Sequence, residues 1–137
     1  SNEGTFCLAM IETQEAFDNL EDIASTPGLD GLYIGTADLT IGLNQGKLRP
    51  GFDRTEPEMI EAKKKILEIA HKHEKVACLH CGTPEYAAKA TNWGFDLVTI
   101  TNDVRLLSGA AAAHVKKFKE LTNQKTDISS ETDNSSY

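Results

Sequence analysis

Short apolar runs alternate with stretches whose apolar residues recur every three or four positions, and the alternation repeats four times along the chain. Residues 6–11 read as a strand. Thr13 can cap a helix over residues 14–24, where Ala16, Phe17, Leu20, Ile23 and Ala24 make one face and Pro27-Gly28 ends it. A second strand, residues 31–34, stops at Gly35, and a long Gly-containing connection then runs over residues 36–54. Thr55 and Glu58 form a capping-box pattern that predicts a helix reaching about His73. A third strand, residues 76–80, ends at Gly82, with Thr83-Pro84 as cap and first residue of the next helix and Gly94 closing it. The fourth strand, residues 96–101, leads through Asn102-Asp103 into a helix carrying Leu106, Leu107, Ala110, Ala111, Val115, Phe118 and Leu121.

Two strands share an entry signature, Gly28-Leu29-Asp30 and Gly94-Phe95-Asp96, which suits a repeated βα plan. Strands alternating with helices imply an α/β fold with a parallel sheet and right-handed crossovers. The strands are short and almost wholly apolar, as expected when both faces are covered. Four units make either a small doubly wound sheet or half of a (β/α)8 barrel, which usually needs about 250 residues. Periodicity leaves both open. Residues 1–121 form the folded domain on this reading. Residues 122–137 hold one Ile and one Tyr among Ser, Thr, Asp and Asn, and read as a disordered tail.

The length of 137 residues fits one domain with a core of its own. The net charge of −7, with lysines scattered on helix faces, argues against a nucleic-acid partner or an anionic-membrane surface. No apolar run approaches a membrane span, and no signal peptide precedes the first strand. The first residue is Ser and a strand follows almost at once, so the chain reads as cut or processed at its front. An odd count of three cysteines, Cys7, Cys78 and Cys81, suits a reducing cytoplasm better than a disulfide framework.

Each strand ends in residues capable of chemistry: Glu12, then Gly35 to Asp38, then His80-Cys81, then Asn102-Asp103. Parallel α/β sheets bind ligands beyond the carboxyl ends of their strands. The long 36–54 connection lies on the same rim, where long loops are often functional. Two carboxylates with no His or Cys around them favour a hard ion such as Mg²⁺ or Mn²⁺, although from the pattern alone an exposed strand end for Glu12 and a turn or cap residue for Asp38 is the simpler explanation. A 2-oxo acid suits such an ion, because its carboxylate and keto oxygens chelate together and the metal, as a Lewis acid, stabilises the enolate. Backbone N–H groups at Ala37 and Asp38, if they open a helical turn, would receive the substrate carboxylate.

Other signals read more plainly. Cys78-x-x-Cys81 lacks the second pair a zinc site needs, and Cys78 falls inside a strand. His71 and His73 end a helix, where positive charge suits the dipole, and read as solvated. Lys63-Lys64-Lys65 reads as a solvated helix face, and Trp93 as packing at a helix end. His80 fits a substrate-facing role and a structural one equally.

Taken together, Met10-Ile11-Glu12-Thr13, Pro27-Gly28-Leu29-Asp30-Gly31-Leu32-Tyr33-Ile34-Gly35-Thr36-Ala37-Asp38-Leu39, Pro50-Gly51-Phe52-Asp53, His80-Cys81-Gly82-Thr83-Pro84 and Gly94-Phe95-Asp96-Leu97-Val98-Thr99 resemble the HpcH/HpaI aldolase family. These are metal-dependent class II pyruvate aldolases, with 4-hydroxy-2-oxoheptanedioate aldolase as type member. The resemblance covers about residues 6–121. It implies the C-terminal half, four βα units, of a (β/α)8 TIM barrel of the phosphoenolpyruvate/pyruvate type. It makes Glu12 and Asp38 the ligands of a divalent ion (Mg²⁺ or Mn²⁺, with Co²⁺ a further candidate). It places Gly35, Ala37 and Asp38 in the loop whose backbone holds the pyruvate carboxylate, with pyruvate and an aldehyde as substrates; His80, from its strand-end position, completes the expected substrate-binding residues.

By the same resemblance the last helix exchanges between subunits, giving a homo-oligomer. The family's His–Asp pair for proton transfer and its enolate-steadying Arg lie in the other half. No catalytic acid or base is then expected in this chain, and the chain alone is expected to be inactive. Two departures stand out: Thr36 where Pro is usual, which would loosen the carboxylate loop, and Met10 where the type member has Gln. Two rival readings are a CoA ester lyase of the citrate-lyase type and a non-catalytic half-barrel that serves as an assembly module.

Overall fold

In the computed structural model, which describes residues 4–122, Leu8–Ile11 (β1), Gly31–Ile34 (β2), Val76–Leu79 (β3) and Leu97–Val98 (β4) form one parallel sheet in the order β1-β2-β3-β4. Each new βα unit adds its strand beside the last, without the reversal of order that defines a doubly wound sheet. This is the wall of a (β/α)8 barrel, and the four units are half of one. The register pairs Ile11 with Ile34, Ile34 with Leu79, and Leu79 with Val98. Their successors Glu12, Gly35, His80 and Thr99 therefore stand at one level on the carboxyl rim.

The two faces of the sheet differ. Ile11, Leu32, Ile34, Ala77 and Leu79 are buried beneath the helices with Leu20, Met59, Ile66, Tyr86 and Ala90. The alternate residues are unevenly covered: Cys78 is fully buried, whereas Met10 is 52% and Leu97 45% exposed. The expectation of strands buried on both faces is thus met on the helix side and only in part on the other. The other face is the one a closed barrel turns inward.

Between β1 and β2 the predicted single helix is two, Gln14–Asp18 (α1) and Leu20–Ala24 (α2). Asn19 separates them at φ −105° and ψ 22°, with its side-chain amide donating to the Glu15 carbonyl at 2.8 Å. Thr13 caps α1 as expected, accepting from the Ala16 N–H at 3.0 Å. The connection after β2 is not a bare loop, because its first part forms a helix, Thr36–Asn44 (α3). The next helix, Pro57–Lys72 (α4), starts later than the capping-box pattern predicts: Pro57 takes the first turn, Glu56 is the cap residue, and no side-chain cap bond forms. Pro84–Trp93 (α5) opens on Thr83, which accepts from the Tyr86 N–H, and closes on Gly94 at φ 111°.

The repeated entry signature has a physical basis. Gly28 and Gly94 both adopt positive φ, which a side chain resists. Two residues on, Asp30 accepts the Cys7 N–H at 2.6 Å and Asp96 accepts the Ala77 N–H at 2.8 Å. Each aspartate thus ties the start of its own strand to the strand before it.

The last strand is shorter than predicted, two residues against six. From Thr101 onward the chain forms a second unit. It contains one helix, Asp103–Leu121 (α6), with no buried residue. Asn102 caps it, accepting from the Arg105 N–H at 2.9 Å, and Asp103 accepts from the Val104 N–H. Val104, Leu107, Ala111, Val115 and Phe118 recur at helical spacing and form one apolar stripe. The polar tail beyond Thr122 lies outside the described residues. Among the described residues, no helix is long and apolar enough to cross a membrane.

Candidate metal centre

Glu12 follows β1 and Asp38 lies in the first turn of α3. They line one pocket of about 160 Å³ with Met10, Tyr33, Gly35, Thr36, Ala37, Phe52 and His80. Burial, the Asp38 charge and a hydrogen bond between the two side chains all raise the Glu12 pKa. Two carboxylates pressed together in this way resist carrying two charges unless a cation sits between them. Among the described residues no three His, Cys, Asp or Glu side chains gather as a metal-ligand set. An open pair of oxygen donors fits Mg²⁺ or Mn²⁺, which keep positions for water or substrate, and does not fit zinc.

The Glu12 carboxylate has room because Gly35 lacks a side chain. A Cβ there would lie 2.8 Å from the Glu12 Cγ and 2.9 Å from its Cδ. Gly35 is also the N-cap of α3, whose first backbone bond runs from the Leu39 N–H to the Gly35 carbonyl at 2.9 Å. The N–H groups of Ala37 and Asp38 precede that bond and have no partner within the helix. The helical turn on which a carboxylate-binding role depends is therefore formed.

Thr36 does not loosen this turn. It is fully buried, its hydroxyl donates to the His80 carbonyl at 3.1 Å, and its carbonyl accepts from the Thr40 hydroxyl at 2.7 Å. The substitution for Pro therefore ties the β2–α3 turn to the end of β3.

His80 is half-buried, with Nδ1 2.9 Å from the Tyr33 hydroxyl and the Phe52 ring 4.7 Å from its own, centroid to centroid. Burial lowers its pKa and Asp53 partly offsets that. Tyr33 and Phe52 escaped the sequence reading as site residues. A Tyr in an otherwise apolar strand and an aromatic on a long rim loop were the available signals. Asn102 and Asp103, expected on the rim, are helix-capping residues of the second unit.

The segment carrying Phe52 is clamped from behind. Asp53 accepts the Gly82 N–H at 2.7 Å and the Thr83 hydroxyl at 2.6 Å. The Tyr86 hydroxyl donates to the Arg54 carbonyl at 2.5 Å and accepts from Lys63 Nζ at 2.8 Å. Lys63 is fully buried, which corrects its reading as a solvated lysine. It falls on the stripe Met59, Ala62, Lys63, Ile66, Leu67 and Ala70, its Nζ lies 4.7 Å from the Tyr86 ring centre, and burial pulls its pKa down to about 8. Lys64 and Lys65 lie over the rings of Trp93 and Phe17. His71 and His73 are paired too, with Asp96 at 2.9 Å and Glu21 at 2.6 Å, rather than merely solvated. Cys78 and Cys81 are buried, and burial pushes the Cys81 thiol up to about 11, the opposite of an activated thiolate. Trp93 packs edge-on against Tyr86, as a helix-end packing residue should.

A family profile described as HpcH/HpaI aldolase/citrate lyase matches residues 1–110. A hydroxypyruvate/pyruvate aldolase of Rhizorhabdus wittichii is 38% identical over 88% of this chain and 47% of its own length. A 5-keto-4-deoxy-D-glucarate aldolase of Klebsiella pneumoniae is 31% identical over 88% of this chain and 45% of its own. The crystal structure of an HpcH/HpaI aldolase from Desulfitobacterium hafniense superposes with a TM-score of 0.75 at 24% identity, over 87% of this chain and 44% of that one. The chain spans about half the length of the relatives it matches.

Proposed function

The chain belongs to the HpcH/HpaI aldolase/citrate lyase family, and on that premise we propose that it supplies the metal-binding half of a divalent-metal-dependent aldolase acting on 4-hydroxy-2-oxo acids. The observation that carries this reading is that Glu12 and Asp38 line one pocket beside the start of α3, near enough for Asp38 to raise the Glu12 pKa. Two relatives described as aldolases support the reaction class.

Glu12 and Asp38 would hold Mg²⁺ or Mn²⁺. When bound, the ion supplies Lewis acidity toward a chelating 2-oxo acid. The Ala37 and Asp38 amides, at the positive end of α3, hold the substrate carboxylate. Gly35 keeps the space in which Glu12 sits, and Met10 and Phe52 give the pocket an apolar wall that limits water. The proton-transfer pair and the arginine are contributed by the four βα units that the resemblance assigns to the other half of the barrel, with α6 carrying the contact between subunits.

Mixing the chain with the first four βα units of the Rhizorhabdus wittichii relative, in Mn²⁺, tests the proposal. Pyruvate release from a 4-hydroxy-2-oxo acid is expected from the mixture and not from the chain alone, and Asp38→Ala abolishes it. Release that persists unchanged in Asp38→Ala overturns the metal assignment. Cleavage of a CoA thioester in place of the oxo acid would favour the citrate-lyase type, and no reaction with either would favour an assembly module.

A further inference from the structure

His80 and Tyr33 form a polar pair on an otherwise apolar stretch of the pocket wall. His80 follows β3, two strands along from Glu12 in the sheet order. Its ring is fixed by the Tyr33 hydroxyl at Nδ1 and by Phe52, and its backbone by the Thr36 hydroxyl. Burial raises the pKa of the Tyr33 phenol and lowers that of the imidazole, so both are neutral near pH 7.

The direction of the proton between them follows from their chemistry. Of the two neutral partners, 2.9 Å apart, the phenol is the stronger hydrogen-bond donor and the imidazole nitrogen the stronger acceptor, so the Tyr33 hydroxyl donates to His80 Nδ1. A neutral imidazole that accepts at Nδ1 carries its own proton at Nε2. Nε2–H is then the donor that His80 has left to offer. The other side-chain polar groups on the wall are engaged: Thr36 with the His80 carbonyl, and Glu12 and Asp38 with each other.

We propose that His80, held in one tautomer by Tyr33, is the specificity-determining donor of this pocket, its Nε2–H hydrogen-bonding an oxygen on the aldehyde-derived carbons of the substrate. The pocket then selects 2-oxo acids bearing a hydroxyl there over alkyl acids of the same shape. The inference rests on the reading of the pocket as a metal-dependent 2-oxo-acid site. A site built to hydrogen-bond a hydroxyl discriminates against the analogue that leaves its donor unpaired.

The test compares 4-hydroxy-2-oxobutanoate with 2-oxopentanoate, in which a methyl replaces the hydroxyl, by calorimetric titration of the Mn²⁺-loaded protein. The hydroxy acid is expected to bind about ten-fold more tightly. His80→Leu should erase that preference while leaving 2-oxopentanoate within about two-fold of its original affinity, and His80→Gln, which keeps an N–H donor, should retain part of it. In the nitrogen NMR spectrum of the imidazole, the wild type should show one tautomer with the proton on Nε2, and Tyr33→Phe a mixture. A preference that survives His80→Leu, equal binding of the two acids by the wild type, or an Nδ1-protonated ring overturns the inference alone. Binding of neither acid overturns the underlying 2-oxo-acid reading as well.

Discussion

Gly35 lies beneath the carboxylate of Glu12 so closely that a single added carbon would meet the Glu12 Cγ at 2.8 Å. Its φ of −80° is open to any residue, so space and not backbone freedom makes glycine necessary here. Gly35→Ala should therefore push Glu12 away from Asp38 with little change in the α3 turn. The expected result is a loss of Mn²⁺ affinity of about ten-fold or more, roughly the 1–2 kcal/mol of a misplaced ligand. Calorimetry reads it, with circular dichroism confirming an intact fold.

Lys63 makes stability depend on pH in a direction opposite to that of a paired surface lysine. Its pKa of about 8 in the fold lies below its unfolded value, so burial of the charged form costs stability fully below pH 8. As pH rises above 8 the folded state releases its proton first, and the cost fades until the unfolded lysine titrates. Against Lys63→Met, which cannot titrate, the wild type should gain up to ~1.4 kcal/mol per pH unit in this window. Urea unfolding of both proteins at pH 7, 8 and 9 measures the difference. A constant difference would mean that Lys63 is not charged and buried as described.

The apolar stripe of α6 predicts association. Leu107 is 74% and Phe118 60% exposed, and large apolar side chains in one row favour burial against another surface. Light scattering at micromolar concentration should show dimers or larger species, and Phe118→Asp should shift them toward smaller ones. A sharp monomer in the wild type would contradict an oligomer built through this helix.

Apolar runs located all four strands, and their terminal carboxylates and histidine located the rim, because a parallel sheet aligns strand ends whatever the loops do. The same pattern could not decide between a doubly wound sheet and a half-barrel, since strand order is a tertiary property; the β1-β2-β3-β4 pairing decides it. Helix α3 lay inside the long Gly-containing connection, of which only a turn at Ala37-Asp38 was expected to be helical. Gly42 is where the helix packs against the chain after Glu12, a Cβ there falling 2.9 Å from the Glu12 carbonyl. Lys63 was hidden by its charge: three lysines in a row look solvated, while the four-residue spacing from Met59 to Lys63 marked the first as a core position. The Tyr33–His80 bond spans 47 residues of sequence, and no local pattern reports such a partner.

Manganese binding by the two carboxylates tests the central claim most directly. Free Mn²⁺ gives a strong electron paramagnetic resonance signal that fades on binding, so a titration counts sites without needing turnover. The wild type should bind one ion, more weakly as pH falls, since the raised Glu12 pKa lets protons compete earlier than at an ordinary glutamate. Asp38→Asn and Glu12→Gln should each weaken that site by about a hundred-fold, the loss of one charged ligand from a pair. Undiminished binding of one Mn²⁺ by either variant would contradict the account.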